Sequence, residues 1–242
     1  DLRFLPLGPD GRLKHGVLEE QDFGVKADTR GRIIGLDRQD IVNDDIGALQ
    51  SLIDMLGTGA GEGLNEEFWA EFLADHETFF TEDHGNYMEG ADTALDFVGL
   101  NKGETLFMEK EKPNGAPLAV KPRRVLVPPS LSSNARALFD SQQVRPAGGT
   151  GGKATLTENT LKGRFEPVVS AYLKGSPKAW YLIADPARMA SVEVAFLNGR
   201  QTPILEEAEP SADQLGIVMR GYFDYGIRKQ EHLAIVKSKG EA

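Results

Sequence analysis

A long segment with helical spacing of apolar residues places the strongest constraint on the fold of this chain. Asn43-Asp44-Asp45 favours a helix start, because short polar side chains cap free backbone N–H groups and acidic groups suit the positive end of the helix dipole. Apolar residues then recur at helical spacing, first at Ile46, Leu49, Ile53 and Leu56 and again at Leu64, Phe68, Trp69 and Phe72. Four glycines interrupt the pattern within Gly57–Gly63. Each glycine costs about 1 kcal/mol relative to Ala inside a helix, so we expect a bent or broken helix there.

Extended structure is expected before this helix. Residues 1–42 contain a sharp turn at Pro9-Asp10-Gly11-Arg12, since Pro presets a corner and Gly tolerates a positive φ. Asp22–Asp28 alternates polar and apolar residues, as a half-buried strand does, and Arg32–Leu36 is rich in β-branched residues. The segment therefore predicts a loop or hairpin that leads into strands.

The rest of the chain mixes strand and helix patterns. Further strands are expected at Val125–Val127, Phe165–Tyr172, Ala179–Ala184, Val192–Leu197 and Thr202–Leu205, with one or two long strands in Gly216–Val236. Helices are expected over residues 99–112, ending at Pro113-Asn114-Gly115, and from a Ser130 or Ser132 cap through Phe139. Asn198-Gly199 predicts a tight hairpin between its two flanking strands. Together these patterns indicate a mixed α+β fold.

Composition excludes several classes of function. The formal net charge is −10, the sign opposite to that of a protein that grips phosphates, although Lys121, Arg123 and Arg124 form a local basic cluster. The chain has no cysteine, which excludes disulfides and thiolate metal sites. It has no apolar run near the ~20 residues that a membrane-spanning helix needs, so we expect no membrane partner.

One glycine-rich segment resembles a phosphate-binding loop. Residues 146–153 end in Gly152-Lys153. The loop pattern also needs a glycine where Ala147 stands and a Ser or Thr where Ala154 stands. A flexible surface loop is the better interpretation, and we expect no nucleotide cofactor.

Two Asp-His pairs are the stronger candidate for chemistry. Asp75-His76 and Asp83-His84 could hold a divalent metal, each imidazole oriented by a carboxylate. Their spacing matches no zincin motif, and a polar loop in which these residues cap backbone groups explains them as well. A metal-dependent hydrolase that uses His76 and His84 is therefore the alternative function.

Other candidates have a structural interpretation beside the functional one. Tyr222, Phe223 and Tyr225 form either a stacking platform for a ligand or ordinary strand packing. Glu19-Glu20 and Glu206-Glu207 are typical of solvated faces, and no Gly-x-Ser-x-Gly elbow is present. With no catalytic constellation, the residues alone indicate a structural or assembly protein, with a monomeric binding module as a third class.

Several segments, in order, resemble one family. The first run is Arg32-Ile33-Ile34 through Ile41-Val42-Asn43-Asp44-Asp45, followed by Asp83-His84-Gly85-Asn86 and Arg124-Val125-Leu126-Val127-Pro128-Pro129. The last runs are Ala179–Pro186, Val192–Gly199 and Phe223-Asp224-Tyr225-Gly226. Over about residues 1–240 the chain resembles the HK97-type major capsid proteins of tailed phages, in particular the Mu-like major head subunits.

The resemblance implies a layout and a function. Residues 1–40 would be the E-loop and the strand leading into the P-domain, 41–118 the P-domain with its spine helix, 119–190 the A-domain, and 191–242 the strands returning to the P-domain. The chain would be a non-enzymatic subunit of a phage or prophage icosahedral head, forming hexamers and pentamers around DNA that it contacts only non-specifically. Expected partners are further copies, the portal, a scaffold or a prohead protease.

The resemblance also implies a location and one missing segment. The protein would reside in the virion capsid after assembly in the cytoplasm of the bacterial host. Subunits of this family carry an N-terminal arm before the E-loop, so we expect such an arm upstream of Asp1. The glycine run departs from the continuous spine helix that the family pattern requires.

Overall fold

The computed structural model describes residues 24–43, 46–112, 115–144, 157–209 and 215–241. The helices in these ranges are α1 (Arg38–Val42), α2 (Ile46–Leu73), α3 (His76–Phe79), α4 (Phe97–Met108) and α5 (Ser132–Asp140). The strands are β1 (Asp28–Asp37), β2 (Tyr87–Met88), β3 (Pro122–Val127), β4 (Gln143–Val144), β5 (Thr157–Glu158), β6 (Glu166–Val169), β7 (Trp180–Ala184), β8 (Val192–Phe196), β9 (Ile204–Ala208), β10 (Gly216–Lys229) and β11 (Ile235–Ser238). Short 3₁₀ helices cover Pro129–Leu131, Ala171–Gly175, Leu197–Gly199 and His232–Ala234. The predicted mixed α+β class is confirmed.

A five-stranded sheet in the order β2-β11-β7-β3-β6 contains most of the core. The pairs β2–β11 and β3–β6 are parallel, and the two inner pairs are antiparallel. Successive residues of a strand point to opposite faces. Trp180 and Leu182 accordingly pack with α4 and α5 on one face, whereas Tyr181 packs with the end of α2 on the other. Both faces of this sheet are therefore covered.

A four-stranded sheet is built around the long strand β10. β1 pairs with one edge of β10 over ten residues, and β8 and β9 follow one another along the opposite edge. Helix α2 lies against this sheet, where Leu56 reaches Gly221 of β10. After β10 the chain crosses to the five-stranded sheet as β11, so the two sheets are joined by consecutive strands.

The predicted break at Gly57–Gly63 is wrong, because α2 runs without interruption for 28 residues. Residues on both sides of the glycines are anchored: Leu56 is buried near β10, and Trp69 and Phe72 are buried in an aromatic cluster. Burying one such side chain stabilises by about 1.5–3 kcal/mol. These anchors offset a cost of about 1 kcal/mol per glycine, which sequence propensity alone overweights.

The predicted hairpin at Asn198-Gly199 is also wrong. Both residues adopt the positive φ that a tight turn requires, at 54° and 70°. The strands on either side nevertheless do not pair with each other, since β8 and β9 both pair antiparallel with β10. A 14-residue strand offers enough backbone partners for both, and this competes with local pairing.

Several predicted boundaries shift. Residues 38–42 form α1 instead of continuing the extended segment. Of the strand expected over Asp22–Asp28, residues 24–27 lie outside any strand, and β1 covers the strand expected at Arg32–Leu36. Helix α4 ends at Met108, before the expected stop, and starts where the Asp96 carboxylate accepts a hydrogen bond from Gly99 N at 2.8 Å. The serine cap of α5 is wrong, because Leu131 holds that position and the Ser130 hydroxyl donates to Pro177 O instead.

Other expectations have a partial or untested outcome. The strand expected over Phe165–Tyr172 is confined to β6, because the chain turns into a 3₁₀ helix at Ala171. The turn at Pro9–Arg12 lies outside the described residues. Sheet membership crosses the expected segment boundaries at 118 and 190, because β2 and β11 both belong to the five-stranded sheet with β3, β6 and β7.

Candidate functional site

His76 lies where the end of α2 meets the five-stranded sheet. Its Nδ1 is 3.0 Å from Lys237 Nζ and its Nε2 is 3.0 Å from the Tyr181 hydroxyl. An ammonium can only donate, so Nδ1 accepts from Lys237 and the ring proton resides on Nε2. Burial, together with the nearby charges of Lys237 and Lys229, lowers the pKa of His76 to about 4. The ring is therefore neutral, and protein groups already occupy both of its nitrogens.

His84 faces a different part of the molecule. Its Nδ1 is 3.1 Å from the Phe79 carbonyl oxygen, and its ring lies 4.7 Å from the ring of His232. The two candidate metal-binding histidines thus have separate partners. Asp75 uses its backbone oxygen to accept hydrogen bonds from Thr78 and Phe79 at the start of α3. No group of three or more His, Asp or Glu in the described ranges could hold a metal ion, so the geometry gives the hydrolase no support.

The aromatic run on β10 is packing rather than a platform. Phe223 is 6% exposed and Tyr225 is 2% exposed. Phe223 stacks on Phe196 of β8 with 5.6 Å between ring centroids, and the Arg30 guanidinium lies 4.4 Å from the Tyr225 ring centroid. These two rings join the strands of the four-stranded sheet, whereas Tyr222 is half-buried and lines a pocket of about 270 Å³ together with Phe223.

The basic cluster is largely neutralised within the fold. Arg123 donates to Asp185 at 2.6 Å, and Arg124 donates to Glu166 at 2.9 Å. Glu206 in turn accepts from Arg220 at 2.6 Å across the β9–β10 pair. Glu19-Glu20 and the glycine-rich segment ending in Gly152-Lys153 lie outside the residues that the structure describes.

Lys110 is a buried structural position that sequence reasoning missed. It is only 6% exposed, and its Nζ donates to the carbonyl oxygens of Ile235 at 2.9 Å, Leu233 at 3.0 Å and His232 at 3.4 Å. Burial lowers the pKa of this ammonium to about 7. The contacts tie the end of α4 to the turn between β10 and β11. In the sequence it stands in the alternating charged run Glu109–Lys112, which is typical of a solvated surface.

An aromatic cluster fixes α2 against the five-stranded sheet. Trp69 stacks on Tyr172 with centroids 5.4 Å apart, and Phe72 meets Tyr181 edge-on at 5.4 Å. Trp69 also donates through its indole N–H to Asn65 at 3.1 Å. Because large rings pack with defined geometry, the cluster sets the position of the helix relative to the sheet. The arrangement can hold surfaces in a fixed relation but contains no group poised for catalysis.

Large apolar side chains are exposed at several places on the surface. Ile33 on β1 is 67% exposed, Met55 on α2 is 65% exposed, and Leu215 before β10 is 67% exposed. Exposed apolar surface of this kind is typical of contacts between proteins. Among the described helices, none has the length and apolar character to cross a bilayer.

Comparisons with known proteins point the same way. The chain matches the family described as "Phage capsid protein" over residues 20–238. The capsid of cyanophage Pam1 superposes with a TM-score of 0.56 at 12% identity, covering 97% of this chain and 81% of that one. The SrpI encapsulin of Synechococcus elongatus superposes with a TM-score of 0.53 at 11% sequence identity, and the match covers 88% of this chain and 73% of the encapsulin. The head structure of Helicobacter pylori bacteriophage KHP40 superposes with a TM-score of 0.52 at 13% sequence identity, and the match covers 93% of this chain and 80% of that one. No curated protein sequence matches significantly.

These likenesses define the class of fold as the HK97-type architecture of phage capsid and encapsulin subunits, as the resemblance implied. The family match covers most of the chain. The chain therefore belongs to the phage capsid protein family, and it is a structural head subunit, not an enzyme. Its location is accordingly the capsid of the virion.

Proposed function

We propose that copies of this chain associate head-to-tail into rings of five and six, which close into an icosahedral phage or prophage head around DNA. The observation that carries the proposal is the family match over residues 20–238. Head-to-tail contacts generate closed rings when the rotation between neighbours closes. Exposed apolar side chains such as Ile33 and Met55 suit a subunit that neighbours cover.

The two sheets suggest how the chain divides within the shell. In this proposal α2 is the spine helix, and it forms the P-domain with β1, β8, β9 and β10. The five-stranded sheet with α4 and α5 is the A-domain, and the residues before β1 are the E-loop. Sheet membership supports these limits in place of boundaries at 118 and 190, because β2 and β11 hydrogen-bond within the five-stranded sheet.

The partners and subgroup follow from the family as part of the same proposal. We assign the chain to the Mu-like head subunits on the loop Asp83-His84-Gly85-Asn86, in which buried Asn86 bridges Thr81 N and the Phe79 carbonyl. Assembly would take place in the host cytoplasm with a portal, a scaffold or a prohead protease.

Contact with the packaged DNA is expected to be non-specific. A net charge of −10 and the neutralised Arg123 and Arg124 support this part of the proposal, because a strongly basic wall would retain phosphates. Reversing acidic residues on the inner surface should increase DNA retention at low salt. Unchanged retention would count against this role of the acidic charge.

Electron microscopy of the protein, expressed from its natural start codon with the upstream region intact, tests the proposal. Closed shells or rings of five and six subunits are the expected result. A uniform monomer at every salt concentration and pH would contradict it.

A further inference from the structure

The five-stranded sheet presents two different edges that no further strand of the described ranges pairs. β2 forms one edge and β6 the other, with three strands between them. At about 4.8 Å per strand, the two edges lie roughly 19 Å apart on opposite sides of one rigid unit. A head-to-tail ring needs two distinct surfaces of this kind, because each copy must offer one surface forward and a different one backward.

The edge at β2 is acidic. Residues 82–92, which contain β2, include four acidic residues and no Lys or Arg. A groove of about 640 Å³ runs between β2 and α4, and its lining includes three glutamates, one lysine and two apolar residues: Glu82, Glu89, Glu109, Lys102, Val98 and Leu106. Glu89 is paired with Lys239 at 3.3 Å. Glu82 and Glu109 are exposed, and neither forms an ion pair with any residue that the structure describes.

The edge at β6 has the opposite sign. Residues 162–174 contain three basic residues and one acidic residue. Arg164 is already paired with Glu104 at 2.5 Å. Lys162 and Lys174 flank β6, are exposed, and have no ion-pair partner within the described part of the chain. Val168 and Val169 of β6 are 37% and 43% exposed, so this edge also combines charge with apolar surface.

We propose that the β2 edge of one copy docks against the β6 edge of the next, with Glu82 and Glu109 facing Lys162 and Lys174, and that this contact sets the order of subunits in the ring. The inference rests on the proposed function and names the partner of each edge as a second copy of this chain. Opposite charges on two edges of one sheet favour head-to-tail contact and disfavour like edges meeting. The exposed valines of β6 then pack near the apolar floor of the groove.

Two matched charge-reversal variants test the contact. Glu82→Lys/Glu109→Lys places lysines at the contact positions of both edges, and Lys162→Glu/Lys174→Glu places glutamates at the contact positions of both edges. Each variant alone should assemble on the order of tenfold less than wild type at low salt, because like charges now face each other. Assembly is measured by light scattering after size exclusion and by electron microscopy, and circular dichroism checks the fold. Glu62→Lys/Glu66→Lys on exposed positions of α2 has the same change in net charge and should assemble normally.

Mixing the two variants gives the deciding result. In a 1:1 mixture every junction of an alternating ring places lysines against glutamates at the contact positions, so assembly should recover. Alternation needs an even number of subunits, so six-membered rings should recover and five-membered rings should not. Each Glu→Lys exchange raises the net charge by two units and each Lys→Glu exchange lowers it by two, so the wild-type charge of −10 becomes less negative in one variant and more negative in the other. Both variants therefore keep a negative net charge, and attraction between oppositely charged molecules cannot explain recovery.

The other outcomes are equally distinct. Normal assembly of either variant alone, or folded variants that fail to recover on mixing, would overturn the proposed contact. If a reversed variant does not fold, Glu82→Gln/Glu109→Gln replaces it and should make assembly weaker and less sensitive to salt. Assembly of that variant with wild-type strength and salt dependence would likewise overturn the contact. A wild-type chain that forms no rings at all would contradict the proposed function itself.

Discussion

The five-stranded and four-stranded sheets differ in how completely the chain covers them. In β7, Trp180, Tyr181 and Leu182 are at most 1% exposed. Trp180 and Leu182 pack into the core on one face of the sheet, and Tyr181 packs into the core on the other face. In β1 of the other sheet no residue is buried, and Ile33 is 67% exposed. Because apolar burial is the main stabilising term in folding, the first region has a core of its own. The second depends on α2 and, in the proposed shell, on neighbouring copies.

The largest expected effect is a core truncation on the five-stranded side. Phe107 of α4 is 0% exposed, so Phe107→Ala should lower the free energy of unfolding by about 3–5 kcal/mol. Ile33→Ala, the matched truncation on β1, should change it by less than about 0.5 kcal/mol in the free subunit. Urea denaturation of dissociated protein, followed by tryptophan fluorescence, measures both. Equal losses would show that the two sheets share one core.

The same difference explains which parts of the fold could be predicted from the sequence. β3 and β7 lie inside the five-stranded sheet, and their apolar runs, Val125–Val127 and Ala179–Ala184, predicted strands correctly. Around β10 the local signals failed. Asn198-Gly199 indicated a hairpin, but the strands beside it pair with β10, a partner about 20 residues further along the chain. Long-range pairing of this kind leaves no trace in a short window of sequence.

The candidate surfaces were harder to predict than the fold. The expectation of a structural head protein is confirmed by the family match, yet no local motif marked the edges at β2 and β6. Their opposite charge becomes visible only when sheet order places β2 and β6 at opposite edges. Lys110 likewise reads as a surface residue until the fold buries it beneath the turn before β11.

A glycine exchange in α4 is the next largest effect. A Cβ added at Gly99 would lie 2.0 Å from the Ala94 carbonyl oxygen, a backbone atom that cannot move aside cheaply. Gly99→Ala should therefore destabilise the free subunit by about 1–3 kcal/mol, although Ala is the better helix former. The midpoint of thermal unfolding measures the loss. A neutral or stabilising result would mean that α4 is packed less tightly than the five-stranded core requires.

A smaller effect is expected at the junction of the two regions, from the titration of His76. Its pKa of about 4 lies below the ordinary 6.5, so the folded chain disfavours the protonated ring. The contribution of His76 to the free energy of unfolding is complete above pH 6.5. It is lost as pH falls toward 4, because the His76 ring takes up a proton in the unfolded chain at a higher pH than in the folded chain. Allowing for partial exposure, the loss should be on the order of 1–2 kcal/mol.

Unfolding free energies measured between pH 7 and 4 test this assignment. His76→Gln removes the titrating group, so the slope of stability against pH should flatten in that window. Tyr181→Phe removes only the hydroxyl that faces Nε2 and should keep the slope, which makes it the matched control. An unchanged slope in His76→Gln would assign the acid sensitivity to other groups and separate the junction from the pH response.

The smallest effect has the opposite sign and lies in α2 on the four-stranded side. A Cβ added at Gly59 would meet no atom within 4 Å, so Gly59→Ala removes a helix-weakening residue without a clash. The free subunit should gain about 0.5–1 kcal/mol, measured as a higher urea midpoint with an unchanged slope. Gly99→Ala is the control, since the same exchange in α4 should destabilise. A loss at Gly59 would mean that α2 is not a continuous helix at its glycines in the free subunit, which would restore the break that the sequence predicts.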